Sequence, residues 1–162
     1  MKLKIVYVVI AVIALVFGLF FISARNSSKE QIINGIPQQP IHWHPALKII
    51  INGEEQVIPA DIGISIGNNI DNQISGMRMS PTHTHERDGT IHLESNRPWQ
   101  KPETLTLGYF FKVWGKTFTN NCILEYCNNE NKKLTMTVNG EPNNEFDRYM
   151  MKDNDKILIE YK

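Results

Sequence analysis

Net charge is missing from this 162-residue chain, in which 17 basic side chains face 17 acidic ones. A nucleic-acid binder needs a basic surface to offset phosphate, so that class is set aside. Phosphate loops, dinucleotide fingerprints and obvious nucleophile pairs are also missing. Ser80 and Ser95 lie near histidines, but no third member of a triad is visible. Binding therefore ranks above catalysis. Internal repeats and low-complexity tracts are absent. Cysteine is scarce: Cys122 and Cys127, in "CILEYC", are the only two. Histidine is missing from most of the chain. All five lie in "IHWHP" (41–45) and "HTHERDGTIHLE" (83–94).

Charge is locally missing from residues 5–22, "IVYVVIAVIALVFGLFFI". At about 1.5 Å per residue, such a run spans roughly 27 Å as a helix, close to the hydrocarbon thickness of a bilayer. A cleaved signal peptide has a shorter apolar run and a small-x-small cleavage site. Here the run is longer, and the pair Ser23–Ala24 leaves Ile22 or Phe21 at the other specificity position. An uncleaved transmembrane anchor over 1–23 is the expectation. Lys2, Lys4 and the amino terminus flank one end, Arg25 and Lys29 the other. The slight positive bias puts the N-terminus inside and the C-terminal part outside the cytoplasm, as a single-pass protein of the cell membrane. In that oxidising compartment Cys122 and Cys127 are expected to form a disulfide, in preference to offering thiolates to a soft metal.

Residues 24–40, polar and carrying two prolines, read as a linker. One folded domain over 41–162 follows, long enough for a single core. "HPALKIIINGEEQVIPADIGI" holds two extended runs joined by Asn52-Gly53, a dipeptide that favours tight hairpins. Residues 66–80 read as a loop. "TLTLGYFFKVWGK" is the helix, with Leu107, Phe110, Phe111 and Trp114 on one face, Thr104 or Thr106 as cap, and Gly115 at its end. A strand, an Asn139-Gly140 turn, a turn over 152–155 and a last strand with alternating Ile157, Ile159 and Tyr161 complete the pattern. The fold class is α+β: an N-terminal transmembrane helix, then one β-rich domain with a single main helix.

The tail, from the aromatic helix ending "VWG" through "VNG" to "YMMKDNDKILIEY", resembles the C-terminal part of β-grasp domains of the transcobalamin C-terminal type. Asn154 stands where that pattern has Gly. The resemblance covers roughly residues 104–161 and implies a β-grasp-like domain. The whole domain also resembles a group of membrane-anchored extracytoplasmic His-rich domains with the pattern HxHP…HTHxxxGxIHxE…FFxVWG. That resemblance implies the architecture and no activity.

If Asp88-Gly89 are the central residues of a type I′ turn, His85 pairs with His92 and His83 with Glu94. Opposed residues share a sheet face, so His83, His85, His92 and Glu94 project together, with Ile91 and Leu93 on the other face. A strand through "IHWHP" adds His42 and His44 on one face and Trp43 on the other. A slip of one residue would scatter the set. The bland alternative is polar surface, with His83 and Glu94 as an ordinary ion pair. "HTH" resembles the cupin His-x-His, but the cupin glutamate would fall at Thr90, so no cupin site is expected.

Imidazole is the commonest metal ligand. The expected metal site is His42, His44, His83, His85, His92 and Glu94, holding copper or zinc. Met77 and Met79 lie just upstream and would favour Cu(I), or simply fill a core gap. Three functions compete. The first is an anchored module that stores, delivers or senses metal, with a metal-accepting protein as partner. The second is an accessory subunit or interaction domain of a membrane protein complex. The third is a metalloenzyme with His85, His92 and Glu94 as a two-His-one-carboxylate set.

Overall fold

The computed structural model describes residues 32–162, apart from 35, 69, 74, 99 and 100. The apolar run over 5–22, and with it the anchor, lies outside the described residues. No helix among the described residues is long and apolar enough to cross a membrane.

The strands, in chain order, are β1 (Ile32–Ile33), β2 (Ile36–Pro37), β3 (His42–Trp43), β4 (Ala46–Ile51), β5 (Glu54–Gln56), β6 (Thr82–His83) and β7 (His92–Glu94). One α-helix follows, α1 (Leu107–Trp114), then β8 (Cys122–Ile123), β9 (Tyr126–Cys127), β10 (Leu134–Val138), β11 (Glu141–Pro142) and β12 (Lys156–Tyr161). The described domain is thus β-rich with a single α-helix. β1 and β2 form a small antiparallel ladder inside the stretch expected to be linker.

The main sheet runs β11-β10-β12-β4-β5. Its central strand, β12, is parallel to its neighbour β4, with Ile49 beside Ile159 and Ile51 beside Tyr161. All other pairs in that sheet are antiparallel. Alternation decides which face is buried: Leu47, Ile49 and Ile51 of β4 and Ile157, Ile159 and Tyr161 of β12 all turn inward. They join one hydrophobic cluster with Leu107, Phe110, Phe111 and Val113 of α1.

The local signals act as their chemistry requires. Asn52 and Gly53 both have positive φ (54° and 88°), as do Asn139 and Gly140 (54° and 87°). That conformation matches the twist of the strands they join. Asn154 also adopts positive φ, 61°, in the turn before β12. Thr106 caps α1 by accepting the Tyr109 amide at 3.2 Å. Gly115, at φ 75°, closes its C-terminal end. Cys122 and Cys127 pair across the β8–β9 ladder and form a disulfide.

A second, three-stranded antiparallel sheet runs β3-β7-β6. The chain around it is tied to the main sheet at β4. The Leu47 amide donates to the Gly89 carbonyl at 2.9 Å, and the Ile91 amide to the Pro45 carbonyl at 2.9 Å. This small sheet carries every histidine-bearing strand.

Candidate metal centre

In the small sheet, His42 pairs with Glu94, Trp43 with Leu93, Thr82 with Leu93 and His83 with His92. Trp43, Thr82 and Leu93 turn into the interior and are buried. His42, His83, His92 and Glu94 therefore share the opposite face. The apolar residues of this face pattern set the direction of the polar ones: burying Leu93 and Trp43 obliges His92, Glu94 and His42 to project the other way.

The register differs from the sequence expectation. His83, not His85, stands opposite His92. The cause is the turn. A type I′ turn needs positive φ at both central residues. Gly89 has it, at 82°, but Asp88 does not. The Asp88 carboxylate instead accepts the Thr90 amide at 2.8 Å and the Thr90 hydroxyl at 2.9 Å, a local side-chain turn. Gly89 is packed onto the Leu47 carbonyl so closely that a Cβ would collide with it. On the other limb, the Thr84 amide donates to the Ile62 carbonyl and the Thr84 carbonyl accepts from Asp61. Both limbs thus leave each other for other partners, and the connection widens. The shift is two residues. Because side chains alternate with period two, an even shift preserves the face.

The rings converge. His92 is central, with ring centroids 4.6 Å from His85, 4.7 Å from His44, 5.5 Å from His83 and 6.2 Å from His42. His83 and His85 are 4.8 Å apart, and His42 and His44 4.6 Å. Two quartets have donor atoms that all lie within 4.8 Å of one another: His83, His85, His92 and Glu94, and His42, His44, His92 and Glu94. All six expected residues belong to one or both.

Hydrogen bonds fix which nitrogens are free. His83 Nδ1 lies 2.9 Å from the Ser80 carbonyl oxygen. A carbonyl only accepts, so Nδ1 carries the proton and Nε2 keeps its lone pair. Ser80 is itself pinned, its amide to the Gly63 carbonyl and its hydroxyl to the Ile70 carbonyl. His92 Nδ1 donates to Glu94 Oε1 at 3.0 Å, which leaves Nε2 as the lone-pair atom in the neutral ring. This is the carboxylate–histidine arrangement that orients metal-binding imidazoles. His42 Nε2 contacts the same Glu94 oxygen at 2.7 Å. The backbone of His44 is held by Asp153, whose carboxylate accepts the His44 amide at 2.9 Å.

His83 Nε2 and His85 Nε2 are 3.2 Å apart. Two nitrogens of a tetrahedral zinc site, each about 2.0–2.1 Å from the ion, lie about 3.3 Å apart. The spacing equally suits an N–H···N hydrogen bond from His85 in the ion-free protein.

Electrostatics keep His83, His92 and Glu94 in their ligand forms. His83 is fully buried, and burial pushes its pKa down to about 4, against the pull of the Ser80 carbonyl and the Glu94 charge. Burial also lowers His92, outweighing its hydrogen bond to Glu94. Burial pushes Glu94 up, but the hydrogen bond from His92 and the proximity of His42 and His83 prevail, and its carboxyl ends below the usual range. Neutral imidazoles and an ionised carboxylate are what a metal ion needs.

Ser80 and Ser95 do not act as nucleophile candidates. The Ser80 hydroxyl donates to Ile70 and the Ser95 hydroxyl to the Arg97 carbonyl. Sequence reasoning missed the supporting roles of the Ser80 carbonyl and of Asp153. Nothing local signals either: the first is a backbone atom, and the second is 109 residues from its partner. Met77 and Met79 are partly exposed, and Met79 offers its carbonyl to Ser75. The disulfide removes both thiolates from any donor set.

Comparison with protein-family models, with curated proteins and with solved structures finds no match to this chain.

Proposed function

We propose that the protein is a membrane-anchored, extracytoplasmic transition-metal-binding protein that stores, delivers or senses copper or zinc. The observation that carries this reading is the convergence of five imidazoles and one carboxylate on one sheet face, with His83 and His92 each held by a hydrogen bond at Nδ1. Imidazole and carboxylate donors without thiolate suit zinc or Cu(II) better than Cu(I). The anchor rests on the apolar run over 5–22 and its basic flanks. The parallel pairing of β4 with β12 at the centre of the main sheet supports a β-grasp-like domain.

Binding is preferred to catalysis because two of the donors, His85 and His42, are exposed. A cleft in the surface lies elsewhere, lined by residues that include Glu55, Val57, Arg87 and Asp88. The test is isothermal titration of zinc and copper into the full chain and into a His85→Ala/His92→Ala variant. The wild type binds tighter than micromolar and the variant at least about tenfold more weakly. Equal affinity in both proteins, or no binding tighter than millimolar in the wild type, moves the interaction-domain reading to the front.

A further inference from the structure

The six donors are more than one ion uses, and they are not equivalent. His83 and His85 form one pair, His42 and His44 another, and His92 lies between them. His83 is fully buried, whereas the His42 side chain is 64% exposed. Glu94 Oε1 touches both groups, accepting from His92 at 3.0 Å and meeting His42 Nε2 at 2.7 Å.

We infer that the cluster is a two-ion centre: an inner position formed by His83, His85 and His92, and an outer position formed by His42, His44 and Glu94. The inference rests on the metal-binding reading above and assigns its donors. Each position then has three protein donors. Two rings of the inner trio are fixed, His83 by the Ser80 carbonyl and His92 by Glu94. Fixed donors lose less freedom on binding, so the inner position fills first. The outer trio is a two-His-one-carboxylate set on the open side, and three ligands leave coordination positions for water or for a donor from another protein. Glu94 joins the two, orienting His92 for the inner ion and ligating the outer one through a carboxylate that has two oxygens. An ion arriving at the outer trio can exchange its ligands one at a time for the inner set, so it never leaves protein donors altogether. The chemistry is ligand exchange only, with no change of oxidation state.

The experiment is native mass spectrometry and isothermal titration of the full chain with zinc chloride. Wild type takes up two zinc ions in two steps. His42→Ala/His44→Ala takes up one, with the first-step affinity within about threefold of wild type. His85→Ala, which alters an exposed side chain and leaves the core untouched, weakens the first step at least about tenfold. A single ion at saturation in the wild type overturns the two-ion centre while leaving metal binding intact. Loss of the first, tight step in His42→Ala/His44→Ala also overturns it, because the pairs would then serve one ion together. No zinc bound at all by the wild type overturns the metal-binding reading itself.

Discussion

Acidifying the ion-free protein should destabilise it well before its carboxylates titrate. His83 is buried and neutral, with a pKa of about 4 against 6.5 for an unfolded histidine. Between those values the unfolded chain binds a proton that the folded chain refuses. Stability therefore rises with pH across that window, and is lost as pH falls from about 6.5 toward 4. The full difference is about 3 kcal/mol, of which about 2 kcal/mol has gone by pH 5. That is a large part of a typical domain stability of roughly 5–15 kcal/mol. His92 is lowered too and adds in the same direction. Glu94 acts in a separate window: its folded pKa is depressed, so its contribution is present above the unfolded carboxylate value and goes only at lower pH. The assay is urea unfolding of chelator-treated protein at intervals from pH 7.5 to 4.5, for wild type and His83→Gln. Wild type should lose about 2 kcal/mol by pH 5, and the variant should start less stable but show a flatter profile. Equal slopes in the two proteins would refute the assignment of this acid sensitivity to His83.

The turn and the disulfide give further outcomes. Gly89→Ala should cost at least about 2 kcal/mol, because Gly89 has φ 82° and a Cβ would strike the Leu47 carbonyl. It should also weaken zinc binding by displacing the segment that leads into His92; thermal unfolding and titration of the same sample read both. Reduction of the Cys122–Cys127 bond should cost about 2 kcal/mol, the chain-entropy value for so short a loop. Titration of the unfolded, unreduced chain should find no free thiol.

Much of the fold was legible because its signals are local. The turns at Asn52-Gly53 and Asn139-Gly140 follow from residues that tolerate positive φ. The helix cap at Thr106 and the inward alternation of Ile157, Ile159 and Tyr161 likewise need only neighbouring residues. The convergence of the histidines was legible for a different reason. Its parity depends on which residues are apolar, so Leu93 and Trp43 set the polar face even though the expected register was two residues off. Register itself was not legible. The Asp88-Gly89 dipeptide looks like a hairpin turn, but the Thr90 bonds to Asp88 and the seat of Gly89 on β4 decide otherwise. The first is a local side-chain turn that competes with the type I′ geometry, and the second is a tertiary choice made against a strand some forty residues earlier. The same holds for the parallel pairing of β4 with β12, and for the grip of Asp153 on His44.

Metal content tests the central claim most directly. The full chain should be purified without added metal, dialysed against buffer holding equimolar zinc and Cu(II), freed of unbound ions, and measured by elemental analysis beside a variant lacking all five histidine side chains. The account predicts at least one zinc or copper ion per wild-type chain at pH 7.5, none above background in the variant, and release from the wild type as pH falls from about 6.5 toward 4, the range in which protons come to compete for the imidazoles, last for buried His83. A wild-type chain that carries no more metal than the variant would contradict it.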